Sequence, residues 1–187
     1  MAQVIQFEER AVASLQQRLG AAESANEDLI AFARGHFGAV SALHGAVLTA
    51  IEADCLDSVI ATVTREWPAM LGLDAVALAL VVGKQGFRAD AAGIESVEPS
   101  LIDRAMTAAD PVLMEAVGHG HPLLGAGAAA VRSQALIRIE AEAPLPRGLL
   151  LLGQHARQSI DTRHGALLLE FLGASLGAII RRWTLSG

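Results

Sequence analysis

Apolar residues recur at heptad spacing near the start of the chain, through a stretch from about residue 4 to residue 34 that contains no proline. This spacing predicts one long helix with an apolar seam, which is typical of helices that pair in a coiled coil. Asn26 falls at a core position of the seam, where a buried asparagine pairs with its twin and fixes the register of a parallel dimer. The same spacing would suit an amphipathic helix packed on its own domain, so that alternative stays open. We expect a homodimer seam formed by Val12, Leu15, Leu19, Asn26 and Leu29.

Two further helices are predicted after a break that contains two glycines, because apolar residues then recur three and four positions apart. The first runs from about residue 40 to residue 51. The second begins after Asp54 and should end near Trp67 and Pro68, since a proline disfavours helical geometry at the residue before it. We interpret Trp67 as a core residue.

The spacing of apolar residues changes to every second position at about residue 74, which marks the start of a β region. Residues 74–82 are apolar on both faces and predict a central strand, and residues 83–86 have the composition of a hairpin turn. Residues 116–130 hold four glycines, and we expect a long loop there, of a kind that is often functional. The other predicted elements are strands at 87–91, 111–115, 131–140 and 148–153, a short helix at 99–106 and a final helix at 162–183.

Strands that follow one another through turns, with helices at both ends of the chain, indicate an α+β domain. We expect an antiparallel sheet with the terminal helices packed on one face, and a hollow under the 116–130 loop on the other face. Residues 1–38 would form a long N-terminal helix that acts as a dimerisation element, and residues 39–187 would form the domain itself.

Composition narrows the class of protein further. Of the 187 residues, 52% are hydrophobic and 18% are charged, which excludes an intrinsically disordered chain. The formal net charge of -6 disfavours direct nucleic-acid binding, because a phosphate backbone would be repelled. The longest apolar stretch, residues 166–180, contains Glu170 and is too short for a membrane span. A lone cysteine, Cys55, and a start that carries Glu8 and Glu9 instead of a signal peptide favour a cytoplasmic protein.

Short motifs spread over nearly the whole chain resemble those of a known bacterial family. They are Asn26-Glu27, Leu73–Leu78, Arg132–Ile137, Gly148–Gly153, Gly165–Gly173 and Arg182-Trp183, of which the C-terminal block is the most specific. The set is similar to the DUF484 family of uncharacterised bacterial proteins with a GAF-like domain. This resemblance implies an antiparallel sheet with terminal helices on one side, a ligand pocket under loops on the other, and a sensory or binding role. The turn at residues 154–160 departs from the acidic turn common in the family.

His119 and His121 form the most suggestive polar cluster, because two imidazoles on a glycine-rich loop could bind a metal ion or an anion. A metal site would need further ligands, which no Cys, Asp or Glu of suitable spacing supplies, so exposed loop histidines are the leading alternative. Arg132 and Gln134 are predicted on the strand face that points towards the loop, as an acidic ligand would require. A solvated sheet face would have the same composition. Arg88, on the predicted hairpin, is a weaker candidate of the same kind.

The sequence contains no motif of a familiar catalytic class, and Cys55 has no evident partner base, so we expect no catalytic residue, no metal site and no enzyme. Our hypothesis is a sensory or small-ligand-binding module that acts as a homodimer and signals through another, unidentified protein chain. The cofactor or ligand is unknown. The alternative hypothesis is a protein-interaction adaptor whose pocket is filled by its own leucines and valines. The candidate ligand contacts are Arg88, His119, His121, Arg132 and Gln134.

Overall fold

A computed structural model of the chain describes residues 20, 23, 35, 37–140, 145–157 and 162–185. The chain divides into two compact units, Met1–Ser41 and Ala42–Gly187. In the first unit, every described position is helical. The predicted seam stays a prediction, because its residues lie outside the described part of the chain. They are Val12, Leu15, Leu19, Asn26 and Leu29.

The second unit begins with helical residues 42–51, which we label α1. A longer helical stretch follows, made of α2 (Leu56–Ala61), a π-helical segment (Thr62–Glu66) and α3 (Trp67–Leu71). The helix was predicted to end near Trp67 and Pro68 but continues to Leu71, because Pro68 lies in the first turn of α3, where a proline is tolerated. The remaining elements are β1 (Ala75–Val82), β2 (Gln85–Asp90), β3 (Gly93–Val97), α4 (Pro99–Ala108), β4 (Val112–Ala116), a 3₁₀ segment (Pro122–Ala130), β5 (Ser133–Ile139), β6 (Arg147–Gln154) and α5 (Thr162–Leu185).

The six strands form one antiparallel sheet in the order β3-β2-β1-β6-β5-β4. The central pair joins β1 to β6, with Ala75 opposite Gly153 and Val81 opposite Arg147. The α+β prediction is therefore confirmed. The edge strand β3 was not predicted, because Gly93–Val97 has no alternation of apolar and polar residues and its middle residues are exposed.

One face of the sheet is covered by the terminal helices, as predicted. Alternate residues of the central strands, such as Leu78 in β1 and Ile137 in β5, pack there against apolar residues of α1, α2, α3 and α5. Trp67 is fully buried, and its indole Nε1 donates a hydrogen bond to the carbonyl oxygen of Ala46 at 2.9 Å. This bond ties α3 to α1, and the interpretation of Trp67 as a core residue is confirmed.

The opposite face of the sheet is also covered, where the sequence predicted a hollow under a loop. Ile102 of α4 and both Leu123 and Leu124 of the 3₁₀ segment are buried against this face. The strands contribute small or branched residues to the same cluster, among them Ala77 and Leu149. The 116–130 segment is thus more than a loop, because its middle carries two leucines that anchor it to the sheet.

Two glycines of α5 allow the helix to lie close to β5. A Cβ atom at Gly173 would come within 2.5 Å of Ile137 Cγ2, and one at Gly177 within 3.3 Å of Ile139 Cγ2. These two glycines are therefore used for close contact between helix and sheet. Among the described helices, none combines the length and apolar character needed to cross a bilayer.

Candidate functional site

Gln134 links three elements on the face covered by the 3₁₀ segment. It lies on β5 opposite Glu115 of β4 and is 7% exposed. Its Oε1 accepts a hydrogen bond from the backbone N–H of His121 at 2.7 Å, and its Nε2 donates to Glu115 Oε1 at 2.7 Å. Both ends of the amide are therefore used, and they hold the start of the 3₁₀ segment against the β4–β5 pair. Glu115 was not among the residues that the sequence analysis singled out.

His121 caps the 3₁₀ segment through its ring. Its Nδ1 accepts a hydrogen bond from the backbone N–H of Leu123 at 3.2 Å, which requires that this nitrogen carry no proton. Burial lowers the pKa of His121 from its usual value, and the nearby Glu115 carboxylate opposes that shift. His121 is therefore held in the neutral form by its surroundings.

The neighbouring His119 is exposed, and its ring Nδ1 lies 3.4 Å from the carbonyl oxygen of Gly120. Within the described parts of the chain, no group of three or more His, Cys, Asp or Glu side chains is arranged to hold a metal ion. The two histidines thus differ in role, because the ring of His121 is hydrogen-bonded to the backbone of the segment, whereas His119 is exposed to solvent.

The arginines predicted as ligand contacts are both engaged by the chain itself. Arg132 Nη1 donates to the carbonyl oxygens of Ala129 and Val131, at 2.8 and 2.9 Å. Arg88 Nη2 donates to Glu95 Oε2 at 2.5 Å and lies 3.4 Å from Asp90 Oδ2. These bonds fix both guanidinium groups within the protein.

The 3₁₀ segment also covers the side chain of Arg88. Its side chain is 15% exposed, and that of Asp90 is 12% exposed. At Gly125, which has a φ of 71°, a Cβ atom would clash with Asp90 Oδ2 and would lie 3.3 Å from Arg88 Cζ. Only a glycine can bring the backbone this close to the Arg88–Asp90 pair.

The structure does not gather the five predicted contacts into one site. Arg88 lies on β2 opposite Ala79 of β1, whereas Gln134 lies on β5 opposite Gly153 of β6. Strands β1 and β6 lie between them, which places them roughly 14 Å apart across the sheet alone, at the usual strand spacing. His121 and Gln134 do meet. A role in ligand binding for Arg88, His119, His121, Arg132 and Gln134 stays a prediction.

Apolar side chains fill the space between these two polar groups. Leu123 is 0% exposed and Leu124 is 3% exposed. They pack in one cluster with Ile102 of α4 and with Leu149 and Leu151 of β6, which are also 0% exposed. The interior under the 3₁₀ segment is thus an apolar core.

A small recess of about 180 Å³ opens at the end of the sheet, between the first residues of β1 and the turn that joins β2 to β3. Asp74 and Asp90 line it, together with Thr64 of the π-helical segment. Asp90 Oδ1 accepts a hydrogen bond from the backbone N–H of Ala92 at 2.8 Å, and Thr64 Oγ1 donates to the carbonyl oxygen of Ile60 at 2.8 Å. The sequence analysis missed this recess, whose residues come from four separate segments.

Cys55 is exposed immediately before α2, and its Sγ lies 3.2 Å from Ser58 Oγ. The hydrogen bond with this hydroxyl is the main reason why the pKa of the Cys55 thiol is lowered from its usual value. A serine hydroxyl is not a general base, so the contact does not form a catalytic pair.

Apolar side chains are exposed on α1 and α5. Leu48 and Ile51 of α1 are 58% and 46% exposed, and Leu167 and Phe171 of α5 are 61% and 47% exposed. The two helices are neighbours here, because the rings of His44 and Phe171 meet edge to face with their centroids 6.3 Å apart. This pair of helices therefore presents apolar surface to solvent.

The family model described as "Protein of unknown function, DUF484" matches residues 1–185. No curated protein matches the chain.

Several solved structures share the fold at low identity. The GAF domain of an Acinetobacter phosphoenolpyruvate-protein phosphotransferase is 11% identical over 79% of this chain and 95% of that chain, with a TM-score of 0.56. Bacteriophytochrome RpBphP3 from R. palustris is 12% identical over 78% of this chain, with a TM-score of 0.56, and the chain spans only 38% of its length. Free methionine-R-sulfoxide reductase from Neisseria meningitidis, solved with its substrate, is 13% identical over 80% of this chain and 90% of that chain, with a TM-score of 0.54. The predicted GAF-like fold is confirmed.

Proposed function

The chain belongs to the DUF484 family, and from its GAF-like fold we propose that it is a non-enzymatic interaction module, with an interior filled by its own side chains. In this proposal it acts as a homodimer and passes a signal to another, unidentified protein chain. We also propose a cytoplasmic location, which suits a chain with a single cysteine.

The observation that carries the proposal is the packing of Leu123 and Leu124 under the 3₁₀ segment. Pockets for drug-sized ligands usually have volumes of about 300–1,000 Å³ and a few polar groups that converge on the ligand. Here the corresponding space holds buried leucines, and the polar groups beside it, Arg88 and Gln134, are engaged by carboxylates of the chain. A module of this kind has its outer surface, more than its interior, available for recognition.

Two observations support the homodimer. The heptad spacing of the N-terminal segment favours a helix pair, with Asn26 as the residue that would set its register. Helices α1 and α5 expose leucine, isoleucine and phenylalanine side chains, and covering this apolar surface would lower the free energy of the assembly. These are independent features of the two units.

The absence of an enzymatic role is part of the proposal. One structural neighbour is a methionine sulfoxide reductase, so the fold is compatible with catalysis. In this chain, the single thiol, that of Cys55, is hydrogen-bonded to a serine hydroxyl. Cys55 itself immediately precedes α2, outside the sheet. His121 is committed to a backbone hydrogen bond. Neither group is arranged as a nucleophile with its base.

Native mass spectrometry of the purified full chain tests the filled interior. We expect the mass of two chains without a bound molecule, because the chains are proposed to dimerise and buried leucines occupy the space under the 3₁₀ segment. A small molecule retained in a one-to-one ratio, and still retained when Ala75→Leu closes the recess lined by Asp74 and Asp90, would contradict the filled interior. A single-chain mass at micromolar concentration would contradict the homodimer.

A second candidate function is the binding of a small polar ligand in the recess lined by Asp74, Asp90 and Thr64. One structural neighbour carries bound biliverdin, but a recess of about 180 Å³ lies below the usual size for ligands of that class. If the spectrum shows a small retained molecule, Ala75→Leu should abolish its binding, since Ala75 lines the recess. Ala116→Leu, at an exposed position on β4, is the control and should leave the bound mass unchanged.

A further inference from the structure

One side of α5 carries a stripe of four residues that is free of large apolar side chains. Glu170, Ala174, Ala178 and Arg181 follow one another at intervals of four, four and three residues, which places them on the same side of a helix. They form one wall of a groove of about 450 Å³, and Glu140 contributes to the other wall. The alanines and Arg181 are exposed, and Glu170 is half-buried.

The two charged residues of this stripe have no ion-pair partner among the described residues. Arg138, in the opposite wall of the groove, is different, because it pairs with Asp110 at 2.9 Å and with Glu140 at 2.6 Å. Glu170 and Arg181 thus have opposite charges, stand at the two ends of the stripe and are both available to an external partner.

The stripe is complementary to itself when it is reversed. Glu170 and Arg181 are equally distant from a point between residues 175 and 176, and so are Ala174 and Gly177, and Gly173 and Ala178. If two copies of α5 packed antiparallel around that point, Glu170 of each copy would face Arg181 of the other. At 1.5 Å rise per residue the two ion pairs would be about 16 Å apart, with Ala174 and Ala178 of each copy between them.

Small residues at the centre of such a pair would let the two helices approach closely. Apolar contact would come from Leu167 and Phe171, which are 61% and 47% exposed and lie beside the stripe. Partial burial of these two side chains would add to the affinity, and the two ion pairs would select the antiparallel register. A two-fold contact of this type uses the same patch on both copies.

We infer that the exposed side of α5 is a self-association surface, on which a second copy of the chain packs antiparallel with reciprocal Glu170–Arg181 ion pairs. This inference rests on the proposed homodimer and deepens it, because it assigns an interface in the domain in addition to the N-terminal seam. The partner that fits the surface is another copy of the same chain, since the charges at its two ends match when one copy is reversed.

Charge reversal in the full chain tests the inference. Glu170→Arg and Arg181→Glu would each turn two attractions into two repulsions, so each variant alone should raise the dissociation constant about tenfold by analytical ultracentrifugation. The double variant should return to the wild-type value. A mixture of the two single variants should form heterodimers in excess of the statistical half by native mass spectrometry, because the two positive charges on the stripe of one variant then face the two negative charges of the other.

Glu98→Arg and Arg104→Glu are matched controls, since they make the same charge changes at exposed positions at the start of α4 and within it, on the other face of the sheet. They should leave the dissociation constant unchanged. If the wild type is dimeric and the α5 variants behave like these controls, the α5 contact is overturned while the homodimer stands. A wild type that is monomeric throughout would overturn both. A purely statistical mixture of the two single variants would likewise exclude the antiparallel register.

Discussion

Polar side chains on the face covered by the 3₁₀ segment are bonded to one another, and their protonation is therefore coupled to folding. His121 is the clearest case, because its ring nitrogen accepts the Leu123 N–H while Gln134 accepts the His121 N–H. The charged group that faces this cluster is Glu115, which Gln134 also contacts. A proton added to the ring would remove the acceptor that caps the segment.

Replacing His121 by asparagine should make stability less dependent on pH, because asparagine can cap without titrating in this range. Burial lowers the pKa of His121 in the folded protein, so the unfolded chain takes up the proton first as the pH falls. The stability that neutral His121 contributes is present above about pH 6.5 and is lost as the pH falls through the lowered pKa. Urea unfolding at about pH 7.5 and about pH 5.5 measures the difference in the free energy of unfolding.

The control for this experiment is His119→Asn, because His119 is exposed on the same loop. That variant should lose as much stability on acidification as the wild type does, whereas His121→Asn should lose less. Equal losses in all three proteins would show that the cap does not couple to pH.

The sequence placed Gln134 on the correct strand face but did not reveal its partners. Alternation along β5 is a local property and can be read directly from residues 131–140. Glu115 is brought opposite Gln134 only by the pairing of β4 with β5, and Glu95 meets Arg88 only across β2 and β3. Strand register, which spacing along one strand does not specify, therefore decides whether a polar residue is available to a ligand.

Helix α5 has small residues on two of its sides, and they serve different purposes. Gly173 and Gly177 are needed on the side that faces β5, where larger side chains would clash. Ala174 and Ala178 have short side chains, so they project little from the exposed side. Apolar residues that recur three and four positions apart predicted this helix and its approximate ends. What the glycines contact could not be predicted, because close approach to a strand and close approach to another helix require the same residues.

Alanine substitutions along α5 should have opposite effects at two glycines. Gly173→Ala should lower the free energy of unfolding by about 1–3 kcal/mol, since its Cβ would meet Ile137 Cγ2 at 2.5 Å and the Arg138 carbonyl oxygen at 3.1 Å. Gly165→Ala should raise it by up to about 1 kcal/mol, because alanine favours the helix and the nearest atom, Met114 Cε at 3.4 Å, belongs to a flexible side chain. Chemical denaturation of both variants measures the two shifts, and equal destabilisation would contradict the close packing of α5 on β5.

Elements without a regular spacing were the ones that sequence analysis missed. The 3₁₀ segment is rich in alanine and glycine, and only Leu123 and Leu124 indicate which part of it is buried. Strand β3 is short, lies at an edge and exposes Ile94 to solvent, so it shows no buried face. In contrast, β1 is buried on both faces and was recognisable from its apolar run alone.

At the scale of the whole molecule, the predicted N-terminal seam leads to a separate prediction about assembly. Leu19→Asp would place a charge at a core position of the seam and should raise the dissociation constant of the homodimer. Light scattering over a concentration series measures this change as a lower average mass at low concentration. Gln17→Asp introduces the same charge at an outer heptad position and should leave the mass unchanged. An unchanged mass for Leu19→Asp would assign the seam to packing within one chain.

The pairing of β1 with β6 has a consequence for synthesis of the protein. The central strand pair joins Ala75–Val82 to Arg147–Gln154, so about 70 residues of later chain must be made before β1 meets its main neighbour. Until then, the run Ala-Val-Ala-Leu-Ala-Leu-Val-Val has only the β2 hairpin to cover one of its edges. Such distant pairing is expected to slow folding, because one edge of this apolar strand stays unpaired until β6 has been made.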